Sequence, residues 1–297
     1  MNQAEAMRDF AKAAGTASHS KETHSAPCVV IEPNGSKRLI NLREVVAYRD
    51  LLRYMIWKQI RVRYAQSSLG IGWAVIQPLF SMVIFTLIFG NLAKLDSDGT
   101  PYALFSLAAL LPWTYFSNAI TEGVASLVSE ADLMKKVYFP RLILPLTSVG
   151  SKLVDFAIAS VMMVIVMVWF QQPPSAEIIW LPIAILIMVT TALGVSVWLT
   201  ALAVQYRDVR YAMNFMVQIL MYASPVVYSL QIIPESYRTI YALNPMVAVI
   251  ESFRVSILGT SSMPWDIVAT GFISSIIVLF TGLIFFNSKE SIFTDVA

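Results

Sequence analysis

Residues 54–78 decide the fold: Tyr54-Met55-Ile56-Trp57-Lys58-Gln59-Ile60-Arg61-Val62-Arg63-Tyr64, then Gln66-Ser67-Ser68-Leu69-Gly70-Ile71-Gly72, then Trp73-Ala74-Val75-Ile76-Gln77-Pro78, with an apolar run on to Phe89. The first part is cationic and amphipathic. The last part is long and apolar enough to span a bilayer. Small, flexible residues fill the corner between them. This predicts a helix lying on a membrane surface that turns directly into a spanning helix.

Upstream of the corner, Asn41 followed by Glu44 marks a helix start, a side-chain cap with an acid in the first turn. Val45, Tyr48, Leu52, Met55 and Ile56 then share one face, and Arg43, Asp50, Arg53 and Arg61 the other. The pattern predicts an amphipathic interfacial helix over 38–69, with Arg53, Lys58, Arg61 and Arg63 reaching lipid phosphates. Basic and aromatic residues also suit nucleic acid, but the adjacent spanning segments favour membrane lipids as the anionic partner. Residues 1–37 are polar, and no apolar core follows a basic start, so they are not a secretory signal. They read as a disordered cytoplasmic leader, with Val29-Val30-Ile31 before Glu32-Pro33-Asn34-Gly35 as a short strand and turn.

Composition agrees with a membrane protein. Hydrophobic residues make up 57% and charged residues 13%, against about 25% charge in a soluble domain. Cys28 is the one cysteine, and His19 and His24 are the only histidines, all in the leader. That excludes a disulfide framework, a metal site built on cysteine, and histidine chemistry within the membrane part. There is no G-x-x-x-x-G-K-[ST] phosphate loop and no nucleophile–histidine–acid set. The chain reads as a non-enzyme without a cofactor of its own. Uphill transport would draw on a partner ATPase or an ion gradient.

Downstream, apolar segments at about 73–91, 104–121, 142–170, 180–204, 213–229 and 267–286 predict an all-α membrane protein with six spans in 70–297. Pro145 and Gly150 suggest that the third begins as a surface segment. Arg49, Arg53, Lys58, Arg61, Arg63, Lys135, Lys136, Arg141, Lys152, Arg207, Arg210 and Lys289 fall on one side of the membrane; only Lys94, Arg238 and Arg254 fall on the other. The positive-inside rule then puts both termini in the cytoplasm. Trp73, Trp113, Tyr115, Trp169, Trp180, Trp198 and Trp265 read mostly as interfacial anchors, with sugar-stacking platforms as the alternative.

Residues 230–262 are too apolar for a solvated loop and too rich in charge and proline for a span. They predict two short helices broken at Asn244-Pro245 and dipping into the outer leaflet, with an external amphipathic hairpin lying on the surface as the alternative. Within the spans, Lys152 and Asp155 one turn apart read as a structural ion pair. Gln77, Asn91, Asn214 and Gln218 either bond between helices or line a hydrated path. The internal segment 129–138 reads as a short helix with Glu130 and Asp132 early and Lys135 and Lys136 late, as the helix dipole favours. It offers Leu133 and Met134, followed by Val137, for docking in a groove of another protein. A second internal loop, 205–211, is tight and charged.

Taken in order, Ile31-Glu32-Pro33, 57–64, Leu69-Gly70-Ile71-Gly72-Trp73-Ala74-Val75-Ile76-Gln77-Pro78-Leu79, Leu111-Pro112-Trp113, Lys136-Val137-Tyr138-Phe139-Pro140-Arg141, Tyr206-Arg207-Asp208 and Leu243-Asn244-Pro245 resemble the permease subunit of bacterial type-two ABC exporters for polysaccharides, the group that exports O-antigen, capsule and teichoic acid. The resemblance runs from Val29 to the C-terminus and leaves out 1–28. It implies an inner-membrane homodimer bound to two copies of a separate ABC ATPase, which holds the ATP and Mg. It implies that Glu130 to Val137 form the coupling helix in the ATPase groove. It also implies that the first and fifth spans of both protomers line a channel for a lipid-linked glycan, with the re-entrant helices of 230–262 at the exit, where Tyr237, Tyr241, Asn244 and Pro245 stand. Gln77, Asn214, Gln218 and Tyr222 are the expected channel-lining residues, with Ser224-Pro225 bending the fifth helix. A permease of the same fold for a lipid or drug-like amphiphile is the nearest rival. An ion-coupled carrier or a membrane-embedded transferase is disfavoured by the lack of acid clusters and histidine within the membrane.

Overall fold

The computed structural model describes residues 42–65 and 69–290, and these contain helices but no strand. The expected leader, its short strand and the Asn41 cap lie outside the described residues. The elements are α1 (Leu42–Ala47), α2 (Arg49–Ala65), α3 (Gly72–Phe85, prolonged by a π-helical stretch Thr86–Leu92), α4 (Tyr102–Ser129), α5 (Ala131–Lys136), α6 (Ile143–Trp169), α7 (Leu181–Gln205, after a 3-10 turn Ala176–Trp180), α8 (Asp208–Tyr222), α9 (Glu235–Tyr241), α10 (Pro245–Leu258) and α11 (Trp265–Lys289). Among the described residues, five helical segments are long and apolar enough to cross a membrane: Gly72–Leu92, Tyr102–Ser129, Ile143–Trp169, Ala176–Gln205 and Trp265–Lys289. A sixth crossing exists only if α9 and α10, bent by 113° at their break, count as one.

The core forms around α4. It is apolar on nearly all sides, so no stripe on it faces away from protein. Leu104, Phe105, Leu107, Ala108, Ala119 and Ile120 are fully buried along its length. Its neighbours are α3, α6, α7, α8 and α10. Close approach is set by small residues. A Cβ at Gly194 on α7 would fall 2.7 Å from the backbone of Leu279 on α11, and one at Gly282 would fall 2.7 Å from the Gly194 carbonyl. The two helices therefore pack backbone to backbone, as small residues permit between membrane helices.

Four expectations change. The fifth segment is not a helix over 213–229: α8 spans Asp208–Tyr222 and Ser224-Pro225 lie beyond its end, so the proline terminates the helix rather than bending it. At 15 residues, α8 is about 22 Å long and does not span alone. The third segment is one unbroken helix, Ile143–Trp169, with no break at Pro145 or Gly150 to set off a separate surface piece; its first turn is buried in protein, and Pro145 sits there because that turn needs no N–H partner. Trp113 and Tyr115 are buried in the middle of α4 rather than at a membrane interface, whereas Trp169 is 84% exposed at the end of α6. Finally, the apolar face of α1 and α2 is covered by protein. Met55 is buried, and Val45, Tyr48, Leu51 and Leu52 pack with Leu127, Phe139, Ile143 and Phe286. Gly150 makes this possible, since a Cβ there would meet Ile56 Cδ1 at 2.8 Å. The exposed face of α2 carries Tyr54, Trp57 and Val62 beside Arg53, Lys58 and Arg61.

Candidate functional site

Where α2 meets the membrane helices, four charged side chains converge. Arg63 on α2 donates from Nη1 to Asp155 Oδ2 on α6 at 2.8 Å and from Nη2 to Glu122 Oε1 on α4 at 2.8 Å. Lys152 on α6 reaches Glu122 Oε2 at 2.6 Å and Asp155 Oδ2 at 3.7 Å. Tyr64 adds a hydrogen bond to Asp155 Oδ1. Burial, then that hydrogen bond, pushes the Tyr64 hydroxyl up to about 12, so it stays a proton donor. Two cations and two anions thus neutralise one another where three elements meet, the condition under which charge survives burial. The group borders a cavity of about 220 Å³ that Trp73, Gln77, Thr114 and Asn118 also line. Gly70 takes φ +50, a backbone conformation that favours glycine, and turns the chain beneath this cavity.

Arg63 therefore has protein carboxylates as partners in place of the expected lipid phosphate. Lys58 likewise reaches Glu130 Oε1 at 3.1 Å. Arg61 stacks over Trp57 with its guanidinium 5.0 Å from the ring, and Arg53 lies 3.7 Å from Asp50 in a fully wet pair. The segment expected as a coupling helix is helical only over Ala131–Lys136, with Glu130 as its cap. Leu133 and Met134 are half-buried against the chain's own cluster with Phe139 and Phe286. Asp132, Lys135, Lys136, Val137 and Tyr138 make up its exposed side.

Among the residues expected to line a conduit, Asn214, Gln218 and Tyr222 follow one another along α8 at spacings of four, and all three are exposed in the protomer. Phe215 and Ile219 flank them and are exposed too. Gln77 is also exposed, on α3, but borders the charged corner. Tyr206 and Arg207 are the only residues between α7 and α8, so the expected tight turn is present.

The bent pair α9–α10 breaks at Asn244-Pro245 as expected. Asn244 accepts from Met246 N at 3.1 Å, capping α10, and donates to Ser224 Oγ at 2.9 Å. Pro245 occupies the first turn. Tyr241 Oη and Tyr228 Oη share a hydrogen bond of 2.6 Å, and Tyr237 is exposed. Arg254, tallied in the sequence as an external charge, is instead fully buried. Its guanidinium lies 3.6 Å from the Phe105 ring and donates to Val226 O at 2.9 Å and Tyr228 O at 3.1 Å. Glu251 is its carboxylate neighbour, 4.0 Å away.

Glu122 and Arg254 are the residues that sequence reasoning missed. Glu122 fell one position beyond the expected end of the second span, at 121, although α4 runs on to Ser129. The signal for it was Lys152, whose second partner it is.

A family model described as ABC-2 type transporter matches residues 50–258. The O-antigen export system permease protein RfbA of Myxococcus xanthus is 30% identical over 215 residues, covering 72% of this chain and 82% of that protein. A protein of the same name from Klebsiella pneumoniae is 27% identical over 248 residues, 83% of this chain and 95% of its own length. The polysialic acid transport protein KpsM of Escherichia coli is 21% identical over 243 residues, 78% and 91% of the two chains. The matched stretch takes in the charged corner, the central helix α4, the uncovered face of α8 and the bent pair, and on this match the chain belongs to the ABC-2 type transporter family.

Proposed function

We propose that this permease is the transmembrane subunit of an ATP-driven exporter that carries a lipid-linked polysaccharide, O-antigen-like or capsular, out of the cytoplasm across the inner membrane. It acts as a homodimer with two copies of a separate ATPase that binds ATP and Mg, and both of its termini face the cytoplasm. The observation that carries the reading is the amide-bearing face of α8. Asn214 and Gln218 are exposed beside Tyr222, with apolar residues around them. Lipid tails offer amides no hydrogen bond, so this face needs a second protein surface or a hydrated path. A glycan supplies hydroxyls for the amides and ring faces for the tyrosine. The names of the relatives, which concern O-antigen and polysialic acid, support the same substrate class. The exposed side of α5, with Asp132, Lys135, Lys136, Val137 and Tyr138, is the surface offered to the ATPase. The wet face of α2, with Arg53, Trp57 and Arg61, is the surface offered to lipid headgroups.

The test introduces bulk. Asn214→Trp and Gln218→Trp, each at normal expression and with the ATPase still copurifying, are expected to abolish surface glycan. Normal surface glycan in both variants would remove α8 from the path.

A further inference from the structure

The cavity at the corner lies apart from the exposed face of α8, none of whose residues line it. Its charges are used up internally. Arg63 spends one side of its guanidinium on Asp155 and the other on Glu122, and Lys152 bridges the same two carboxylates. What remains for a guest is uncharged. The side-chain amides of Gln77 and Asn118 both border the cavity and make no hydrogen bond to any described residue. Trp73 contributes an exposed indole, and Thr114 a hydroxyl. Asn118 is half-buried and Gln77 is exposed at the rim; a half-buried amide left without a partner is costly in an apolar setting unless something wet or hydroxylated meets it. At about 220 Å³ the space is below the ~300–1,000 Å³ of a drug-sized pocket. It suits one small group and not a chain.

We propose that this cavity binds one uncharged polyol group at the membrane surface, with Asn118 and Gln77 hydrogen-bonding its hydroxyls and Trp73 lying against its C–H face. Anions are disfavoured because the two cations are already paired, and cations because both carboxylates are. Two sources carry this chemistry, a sugar ring of the glycan and the terminal glycerol of phosphatidylglycerol. The first rests on the export reading; the second does not. If the guest is the sugar, the ring waits beside the first span, where the surface helix turns into the membrane.

The full chain in phosphatidylcholine nanodiscs is the sample, and saturation-transfer NMR with methyl α-D-glucopyranoside is the probe. Signal from the glycoside is expected, and Asn118→Leu and Gln77→Leu are each expected to weaken binding about tenfold, the worth of one hydrogen bond. Thr281→Val on an exposed face of α11 serves as the control and keeps the full signal. Gln77 is exposed, so its variant folds even if the Asn118 variant does not. No signal, equal signal in both Leu variants and the wild type, or a stronger signal from the anionic methyl glucuronide overturns the site. Repeating the experiment in phosphatidylglycerol nanodiscs separates the sources: suppression of the sugar signal assigns the pocket to the lipid glycerol, and an undiminished signal assigns it to the sugar. Surface export is a separate readout, so loss of the pocket leaves the transport reading standing, and loss of export in the α8 variants leaves the pocket standing.

Discussion

Arg63 and Arg254 are both cations withdrawn from water, and the chain accommodates them in different ways. Arg63 keeps 23% of its side chain exposed and is surrounded by Glu122, Asp155 and Lys152 from α4 and α6. Arg254 has no exposure, and its hydrogen bonds go to the backbone carbonyls of Val226 and Tyr228, with Phe105 under its face. The first arrangement holds exchangeable partners: either carboxylate can pair with either cation after a small shift. The second is a single solution. Carbonyl groups freed where the chain turns after α8 need donors, and one planar guanidinium supplies two of them. The corner thus sets each cation beside two carboxylates, while Arg254 ties the bent pair to the loop beyond α8.

The sharpest way to break this contrast is to remove Arg254. Arg254→Leu strands two buried carbonyls and leaves Glu251 without its neighbour, and losing one member of a buried pair costs about 3–5 kcal/mol. The variant is expected to lose most of its monodisperse fraction in size-exclusion chromatography after mild heating. Arg254→Lys keeps the charge but cannot serve two carbonyls and cover a ring, so it should fall between. A stable Leu variant would mean that the bent pair holds without its cation.

How much of this was readable in the sequence differs between the two sites. The corner was legible, because a basic amphipathic run ending in Leu69-Gly70-Ile71-Gly72 before a long apolar stretch has few alternatives. The break at Asn244-Pro245 was legible for the same kind of local reason, a side-chain cap followed by proline. The direction of Arg63 was not. An arginine on an amphipathic helix looks alike whether it meets phosphate or carboxylate, and its partners stand 59 and 92 positions away. Arg254 was counted among the external charges, and its burial was not legible because charge counting assumes that a charge outside a span is wet. In fact all of α10 is buried, including Glu251 and Arg254. The end of the fifth segment was misjudged because Pro225 can either kink or stop a helix, and only the contact of Asn244 with Ser224 decides between them.

The corner should give smaller, transferable effects. Arg63→Ala leaves Glu122 and Asp155 with Lys152 alone, in a site that water still reaches, so a loss of about 1–3 kcal/mol is expected. Removing Glu122 as well, in Arg63→Ala with Glu122→Ala, should cost clearly less than the sum of the two single losses, since Lys152 and Asp155 then pair with each other and no carboxylate is left over. A thermal-melt double-mutant cycle measures this. If the two losses simply add, the corner does not re-pair its charges and the contrast with the Arg254 site fails.

The smallest effect is expected at Lys58 and Glu130, which link α2 to the cap of α5 at 3.1 Å with 44% and 30% of their side chains exposed. A pair this wet contributes about 0.5 kcal/mol and is screened by salt. Lys58→Ala and Glu130→Ala should therefore shift the melting of the isolated permease little, and raising the salt should erase the shift. The geometry gives the pair a further use. Among the described residues it is the one ion pair joining α2 to the segment proposed to meet the ATPase, while Arg63, five residues further along α2, joins the same helix to α4 and α6. A displacement of α5 thus has a route into the corner without a change in the core. If this route carries motion, Lys58→Ala should lower the glycan exported per ATP hydrolysed far more than it lowers stability, with Lys58→Arg retaining both. Equal small losses in stability and in that ratio would reduce the pair to an ordinary surface contact, and the corner would then respond to the ATPase through packing alone.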